Sequence, residues 1–429
     1  MRHPLGSHVV VASALLALSG CAIAGGEHAQ QSGSGHERGG GDAHGHGAYG
    51  AAPASAPLDW RAAESGILTD YVQLTSEKDF TKAGEAYFDP TGNWIIFQAV
   101  PRPTDGSKPD QHYSMYVAKL SRNSHGVVTG LEEPILLSKP GSANTCGFFH
   151  PTEPGLVIFG TTTTPPADNQ PAGYQRGSSK YNWQFPVEME VVIGVVGEIM
   201  GKRIADADEA EAHHWVRTAP LWTRPGYDAE CGYSPDGRFI VYTRVDPKTG
   251  DGDLYVFDTE TNSHTALVVE KGYDGGPFFS PDGKWITYRS DRRGDNMLQV
   301  FVAELSFDAN GAPNGIKREL KVTDNDQVNW APFWSPNGEY LVYATSEVSH
   351  RNYEVFSIEA PVGDASNKKP GDLARRRITF ADGFDGLPVF SDDGSMMMWT
   401  SQRGPLFDGE ERPTSQVWLA EVVSMDPRE

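Results

Sequence analysis

Residues 278–291 read FFSPDGKWITYRSD, and this stretch decides the fold. Two aromatic residues precede a Ser-Pro-Asp-Gly turn, in which Pro281 presets φ and Gly283 takes the left-handed position that closes a tight hairpin. The following segment, Trp285–Tyr288, is apolar on both faces, which predicts a strand covered on both sides. The stretch therefore predicts a β-hairpin inside a layered β-structure.

The same hairpin pattern recurs along the chain. Taking the Pro position of each turn as an anchor gives six copies, at Pro90, Pro151, Pro235, Pro281, Pro336 and Asp392. The spacings between successive anchors are 61, 84, 46, 55 and 56 residues. A repeat of about 40–45 residues or somewhat more, with only β signals, is typical of propeller blades. One four-stranded sheet cannot bury its two faces alone, so neighbouring sheets stack around an axis.

Strand counting predicts how the propeller closes. Each hairpin is followed by a third strand, but only five outer fourth strands are found for six hairpins. The sixth candidate is Tyr71–Ser76, which precedes the first hairpin. Pairing it with the third strand of the last blade, which ends near Val423, would remove the open edges of the stack. The sequence therefore predicts an all-β, six-bladed β-propeller with four-stranded blades, the last closed by the N-terminal strand.

The aromatic-Ser-Pro-Asp-Gly-apolar repeats resemble the WD-like Pro-Asp-Gly repeats of TolB-type six-bladed β-propellers, a family that includes lipoproteins. The resemblance covers Leu68 to Val423. It implies a relative of periplasmic envelope scaffolds or of propeller domains attached to peptidases. A fold shared by such different proteins does not choose among their functions.

The N-terminal region predicts export and a tether. In residues 1–21 the apolar run Val9–Leu18 is too short to span a bilayer, and the ending Leu-Ser-Gly-Cys resembles a bacterial lipobox with Cys21 lipidated. An ordinary secretory signal cleaved nearby is the alternative. Residues 22–66 are rich in Gly, Ser and His and predict a flexible tether, with a helical turn at Trp60–Ser65. By resemblance, Ala22 after the cysteine indicates an outer-membrane lipoprotein that faces the periplasm.

Residues 67–425 are predicted to form the propeller, with an insertion at about 162–227 in the longest interval between anchors. The formal net charge of −21 argues against nucleic acid and suits a cationic partner or a divalent cation. Besides Cys21 there are two cysteines, Cys146 and Cys231, at near-equivalent positions on the innermost strands of consecutive blades. They form a candidate disulfide, provided that their Cα atoms lie within about 7 Å.

Polar residues recur at the start of the innermost strands, seven residues before the anchors. They are Asn144, Asp228, Asp274, Asn329 and Asp385, and only Ala83 breaks the series. Glu85 and Glu230 follow shortly after in their own blades. These residues predict an acidic channel mouth that binds a cationic peptide or Ca²⁺, although five side chains around so wide a channel would need bridging waters. Alternatively, each Asp or Asn bonds the backbone of its own loop-to-strand junction.

No linear catalytic signature is present. The chain lacks a Gly-X-Ser-X-Gly elbow, a phosphate loop and an HExxH motif, and no catalytic residue is identified. The first hypothesis is a lipid-anchored propeller that binds a protein or peptide partner in the cell envelope through its acidic channel mouth. The alternative is a propeller enzyme acting on a polysaccharide or peptide, with channel carboxylates or a bound divalent metal. A structural role as an envelope spacer is a third hypothesis.

Overall fold

The computed structural model describes residues 58–167, 186–197, 199 and 218–429, together with the backbone of residues 173–174, 183–184 and 216–217. The chain divides into two compact units, residues 1–56 and 57–429, and the described residues all belong to the second. The predicted signal peptide, Cys21 and most of the predicted tether lie outside the described residues.

Six antiparallel sheets form the blades of a six-bladed β-propeller, as the sequence predicts. Blade 6 begins with β1 (Leu68–Gln73). Blade 1 contains β2 (Phe80–Phe88), β3 (Trp94–Pro101), β4 (Ser114–Arg122), β5 (Val128–Leu131) and β6 (Ile135–Leu136), the last two sharing the outer position against β4. Blade 2 contains β7 (Asn144–Phe149), β8 (Leu156–Thr161), β11 (Glu190–Val196) and β12 (Val216–Pro220), with a separate small hairpin of β9 (Gly173–Tyr174) and β10 (Trp183–Gln184).

The other blades are regular. Blade 3 contains β13 (Tyr227–Tyr233), β14 (Phe239–Val245), β15 (Gly252–Asp258) and β16 (Ser263–Val268). Blade 4 contains β17 (Asp274–Phe279), β18 (Trp285–Ser290), β19 (Gln299–Phe307) and β20 (Pro313–Lys321). Blade 5 contains β21 (Asn329–Trp334), β22 (Tyr340–Ser349), β23 (Asn352–Glu359) and β24 (Arg375–Arg377), with short 3-10 helices at Gly363–Asn367 and Pro370–Asp372. Blade 6 is completed by β25 (Asp385–Phe390), β26 (Met396–Ser401) and β27 (Gln416–Val422).

The predicted closure is confirmed. Strand β1 pairs antiparallel with β27, with Leu68 opposite Val422 and Gln73 opposite Trp418. The innermost strands β2, β7, β13, β17, β21 and β25 contact one another in a complete circle. They therefore enclose a central channel. We call the end at which these six strands begin the entry end and the opposite end, which carries the Ser-Pro-Asp-Gly turns, the turn end.

The repeated turns are built in the same way in several blades. In blade 4 the hydroxyl of Ser280 donates to Asp282 at 2.6 Å and accepts the backbone N–H of Trp285 at 3.0 Å. Gly283 has φ +69°, and a Cβ there would lie 3.6 Å from Pro235 of the preceding blade. Each turn thus fixes its own hairpin and contacts its neighbour. This explains why the motif marks the blades in the sequence.

A short helix joins the N-terminal side of the propeller to blade 6. Helix α1 (Trp60–Glu64) begins at Asp59, whose side chain accepts the backbone N–H of Ala62. It lies at the helical turn expected near residues 60–65. Glu64 at its end is fully buried, and its carboxylate contacts Arg403 at 2.9 Å. Ordered packing therefore begins before residue 67, inside the range assigned to the tether.

Candidate functional site

Three acidic residues at the start of the innermost strands are engaged by arginines. Asp228 accepts hydrogen bonds from Arg224 at 2.6 Å and from the indole of Trp222 at 2.8 Å. Asp274 pairs with Arg292 at 2.8 Å. The corresponding pair in blade 6 is Asp385 with Arg403, at 2.7 Å. All three carboxylates are buried.

The two asparagines of the series are also used internally. The amide of Asn144 donates to the carbonyl oxygens of Tyr113 at 2.7 Å and of Ser142 at 2.9 Å. The amide of Asn329 donates to side chains and a carbonyl of neighbouring loops, including Asn325 at 2.8 Å. All five residues are thus bonded within their own or an adjacent blade. Their contacts support the interpretation that they stabilise loop-to-strand junctions.

The acidic residue and its arginine belong to a larger network that repeats from blade to blade. In blade 4 Arg292 bonds Asp274 and Glu319, and Tyr288 donates its hydroxyl to Glu319. In spite of the arginine, burial raises the pKa of Asp274 to about 6. In blade 3 the residue equivalent to Glu319 is His264, and burial lowers the pKa of its imidazole to about 4. The network therefore links the strands within a blade.

The calcium prediction finds no ligand set in this series. Among the residues that the structure describes, no group of three or more His, Cys, Asp or Glu side chains is arranged to hold a metal ion. Ca²⁺ requires six to eight oxygen ligands, and the aspartates of the series face arginines instead. The prediction of a bound cation stays a prediction.

A second ring, two residues further along each innermost strand, lines the channel. Its members stand five residues before the anchors and have φ between +45° and +58°: Glu85, Cys146, Glu230, Gly276, Ala331 and Leu387. In each blade the strand register shifts at this position, as in a β-bulge. We call this set the bulge ring. Left-handed backbone costs of order 1–3 kcal/mol at a non-glycine residue, and such strain is concentrated at functional sites.

Glycine at one ring position admits an arginine to the channel. A Cβ on Gly276 would lie 1.8 Å from Nη1 of Arg289, a residue of the second strand of blade 4. A Cβ on Gly275 would lie 2.0 Å from the hydroxyl of Tyr273. The two glycines therefore leave the space that Arg289 and Tyr273 occupy. The guanidinium takes the place of a ring side chain in blade 4.

Glu230 is the most heavily bonded member of the bulge ring. Its carboxylate accepts the hydroxyl of Tyr273 at 2.6 Å, the hydroxyl of Thr243 at 3.0 Å and the backbone N–H of Gly276 at 2.6 Å. Arg289 lies 3.2 Å from the same carboxylate. The negative charge of Glu230 is thus balanced inside the wall of the channel. It is held rigidly by these bonds.

Glu85 has a different environment. It remains partly exposed, and its carboxyl oxygens accept the thiol of Cys146 at 2.8 Å and the hydroxyl of Thr145 at 3.2 Å. Both of these partners are neutral. Burial is the main cause of a raised pKa at Glu85; the bond from Cys146 and the nearby charge of Arg289 lower this pKa, and the charge of Glu230 raises it. Glu85 therefore stays protonated to a higher pH than an ordinary surface glutamate.

The candidate disulfide between Cys146 and Cys231 is not formed. Both cysteines are free and buried. Cys146 belongs to the bulge ring and directs its thiol at Glu85, whereas Cys231 lies one residue beyond its own ring position and faces the carbonyl oxygen of Cys146 at 3.7 Å. The two cysteines are not at equivalent positions, because their distances from the anchors differ by one residue. This offset points their side chains in different directions.

Aromatic side chains close the channel beneath the bulge ring. Tyr87, Phe148, Phe278 and Phe333 come from four different blades, at positions three residues before the anchors. Their ring centroids are 5.1 to 6.3 Å apart. We call these four residues the aromatic plug. The aromatic plug thus fills the channel on the turn-end side of the bulge ring, and we call the remaining space at the bulge ring the pit.

The floor of this pit is small and has two unlike sides. The cavity measures about 10 Å³, which is room for about one water molecule. One side carries Glu85, Cys146, Glu230 and Arg289. The other side carries apolar residues of blades 5 and 6: Ala331, Pro332, Phe333, Leu387, Pro388 and Val389. The pit therefore offers charge and apolar surface to the same small group.

Sequence reasoning identified part of this site. Of the seven predicted binding residues, the structure brings Glu85 and Glu230 together in the pit and leaves the other five outside it. The sequence prediction of binding residues did not include Arg289 or the aromatic plug. Counting five residues back from each anchor, rather than seven, would have found the ring.

The insertion contributes to the entry end. The chain leaves β8 at Thr161, where this strand ends at the entry end, and β11 begins there at Glu190. Glu190 is buried and accepts the backbone N–H of Arg224 at 2.9 Å. Much of the predicted insertion, including 200–215, lies outside the described residues. No described helix is long and apolar enough to cross a membrane.

The match to a family model agrees with the fold. Residues 217–352 match the family model described as the TolB beta propeller domain. No curated protein matches the sequence. Solved structures that resemble it include TolB from Acinetobacter baumannii, with 15% identity, a TM-score of 0.45 and coverage of 78% of this chain and 64% of that one.

Other similar structures have different names. Hydrazine synthase from Kuenenia stuttgartiensis has 12% identity and a TM-score of 0.45, covering 73% of this chain and 44% of that one. Oligogalacturonate lyase from Vibrio parahaemolyticus has 11% identity and a TM-score of 0.43, covering 81% and 92%. At such low similarity these matches carry no argument about function. This chain spans less than two thirds of the Acinetobacter protein.

Proposed function

The chain fits a TolB-type β-propeller family, and we propose that it binds a protein or peptide partner of the cell envelope at the entry end of its channel. The observation that carries this proposal is the pit. The aromatic plug fills the channel on the turn-end side of the bulge ring, and we place the opening of the cavity that the bulge ring lines at the entry end. A group that protrudes from a larger partner can enter such a pit.

The size of the pit distinguishes this proposal from the enzyme alternative. Sites for small molecules usually measure about 300–1,000 Å³, whereas the cavity at the bulge ring measures about 10 Å³. A sugar ring does not fit there without movement of the wall. Glu230, one of the two carboxyl groups in the pit, is also held by Arg289 and Tyr273. The geometry of this pit therefore favours recognition over turnover.

The proposed location follows from the N-terminal sequence. A lipid on Cys21 would anchor the chain, and we place it in the outer membrane facing the periplasm. Residues 22–57 comprise 36 residues. If they form the flexible tether that the sequence predicts, their root-mean-square span would be about 30–35 Å, and the propeller would reach partners at some distance from the membrane surface. The net charge of −21 favours an encounter with cationic partners.

A capture experiment with charge reversal tests the proposal. Full-length protein, wild type or Glu85→Lys, would be used to capture partners from an envelope extract, followed by mass spectrometry. The matched control is Glu153→Lys, which reverses an exposed charge between β7 and β8 at the turn end. We expect one dominant protein whose yield falls at least about tenfold with Glu85→Lys and stays unchanged with the control. Equal yields from all three proteins, with unchanged melting temperatures, would refute the proposal.

A further inference from the structure

We propose that the group entering the pit is a primary ammonium, from a lysine side chain or an amino terminus, and that Glu85 and Tyr87 receive it. This inference rests on the proposed function, because it specifies the chemistry of the same pit. It goes further by excluding two other occupants, a guanidinium and a carboxylate. Three observations support it: charge balance, an unsatisfied hydroxyl and size.

Charge balance singles out Glu85. The carboxylate of Glu230 is already paired with Arg289 at 3.2 Å. The direct partners of Glu85 are the neutral groups of Cys146 and Thr145. A cation beside Glu85 would favour its ionised form and would gain a charge-assisted hydrogen bond, which is about twice as strong as a neutral one. An anion would face the same carboxyl group at a cost.

The hydroxyl of Tyr87 provides an independent observation. The side chain lines the cavity and is 6% exposed. Its ring contacts Phe148, Phe278 and Phe333, but its hydroxyl has no hydrogen-bond partner among the residues that the structure describes. The oxygen is not among the fully buried atoms that lack a partner, so it is accessible from the cavity that the side chain lines. An ammonium that donates to Glu85 can donate to this oxygen as well.

Size separates an ammonium from a guanidinium. The cavity of about 10 Å³ accepts one group of the size of a water molecule. An ammonium is a compact charge with three donors, whereas a guanidinium is a wide planar fork. The apolar side of the pit, with Ala331, Leu387 and Val389, can cover the methylene stem of a lysine. A lysine therefore satisfies both sides of the pit.

A peptide selection tests this inference. A random peptide library would be selected on the immobilised full-length protein, and the affinity of the enriched peptides would be measured for wild type, Glu85→Gln and Tyr87→Phe. We expect the enriched peptides to share one lysine or a free amino terminus. Affinity should fall at least about tenfold with Glu85→Gln. It should fall less with Tyr87→Phe, which keeps the ring of the aromatic plug but removes the oxygen. Glu153→Gln at the turn end is the matched control and should leave affinity unchanged.

Changes in the peptide give a readout that does not depend on folding of a variant. Replacing the shared lysine by norleucine or by arginine should each lower affinity for wild-type protein at least about tenfold. Arginine binding as well as lysine, or enrichment of acidic peptides, would overturn the inference while leaving the proposed function intact. A selection that enriches no peptide, together with capture insensitive to Glu85→Lys, would overturn both.

Discussion

Replacing Glu64 by alanine should destabilise the propeller strongly, because this residue completes a buried group of charges at the closure of the ring. The side chains of Glu64 and Arg403 are both 0% exposed, and Arg403 also contacts Asp385 at 2.7 Å. Glu64 further accepts the hydroxyl of Tyr71 at 2.8 Å and the backbone N–H of Phe380 at 2.7 Å. These contacts join α1, blade 5 and blade 6.

The magnitude follows from the hydrogen bonds that Glu64 accepts inside this buried group. A buried donor left without its acceptor costs about 1–3 kcal/mol. Glu64→Ala leaves Arg403 paired with Asp385, but it removes an acceptor for Arg403, for the hydroxyl of Tyr71 and for the backbone N–H of Phe380. We therefore expect a loss of about 3–5 kcal/mol in the free energy of unfolding, measured by urea denaturation at neutral pH.

A matched exposed pair provides the control. Lys119 and Glu132 lie 2.8 Å apart, but their side chains are 45% and 50% exposed. Exposed ion pairs contribute about 0–1 kcal/mol, so Glu132→Ala should change stability by less than about 1 kcal/mol. The double variant Glu64→Ala/Arg403→Met should lose more stability than Glu64→Ala, because it leaves the buried carboxylate of Asp385 without its arginine. A cost below about 1 kcal/mol for Glu64→Ala would refute this account of the closure.

Three other changes test separate parts of the structure. Gly276→Ala should lower the free energy of unfolding by about 2–4 kcal/mol in urea denaturation, because the added Cβ displaces Arg289. The control Gly311→Ala, at φ +76° with open space around it, should cost only about 1 kcal/mol. Equal costs would contradict the claim that Gly276 leaves space for Arg289. Burial raises the pKa of Glu190 to about 7, so its stabilising contribution is complete below pH ~4.3 and is lost as pH rises towards 7. The free energy of unfolding of Glu190→Gln, relative to that of wild type, should therefore rise by about 1–3 kcal/mol between pH 4.5 and pH 7.5. A difference that stays constant with pH would contradict this. Cys146 and Cys231 are free, and burial raises the pKa of both thiols; reductant should leave the melting temperature unchanged, and both should react with a thiol reagent only after unfolding.

The architecture could be predicted because its determinants are local and repeated. The Ser-Pro-Asp-Gly turn carries its own hydrogen bonds, as in Ser280 to Asp282, so each copy marks a hairpin in the sequence. Closure could be predicted because the last blade lacked an outer strand and the segment upstream of the first hairpin was the one candidate for it. The packing of α1 was harder to foresee. Its decisive contact, Glu64 to Arg403, joins residues 339 positions apart.

The site was harder to predict than the blades, because residue type alone is ambiguous at the start of an innermost strand. Asp228, Asp274 and Asp385 have the chemistry of a binding ring, but arginines from loops neutralise them. Arg292 and Arg403 each follow their aspartate by 18 residues, whereas Arg224 precedes Asp228 by four. The bulge ring is marked by positive φ, which only Gly276 announces in the sequence. Arg289 enters from a neighbouring strand. No repeat count along the innermost strands could reveal that substitution.

The most direct test of the central claim is to map which end of the propeller touches the partner. Exposed lysines report on both ends: Lys108, Lys139, Lys248 and Lys271 lie at the entry end, and Lys284, Lys368 and Lys369 lie at the turn end. Wild-type protein bound to its captured partner would be treated with a lysine-reactive crosslinker, and the linked peptides identified by mass spectrometry. Crosslinks concentrated on the entry-end lysines are the predicted result. Crosslinks concentrated on the turn-end lysines would contradict the account.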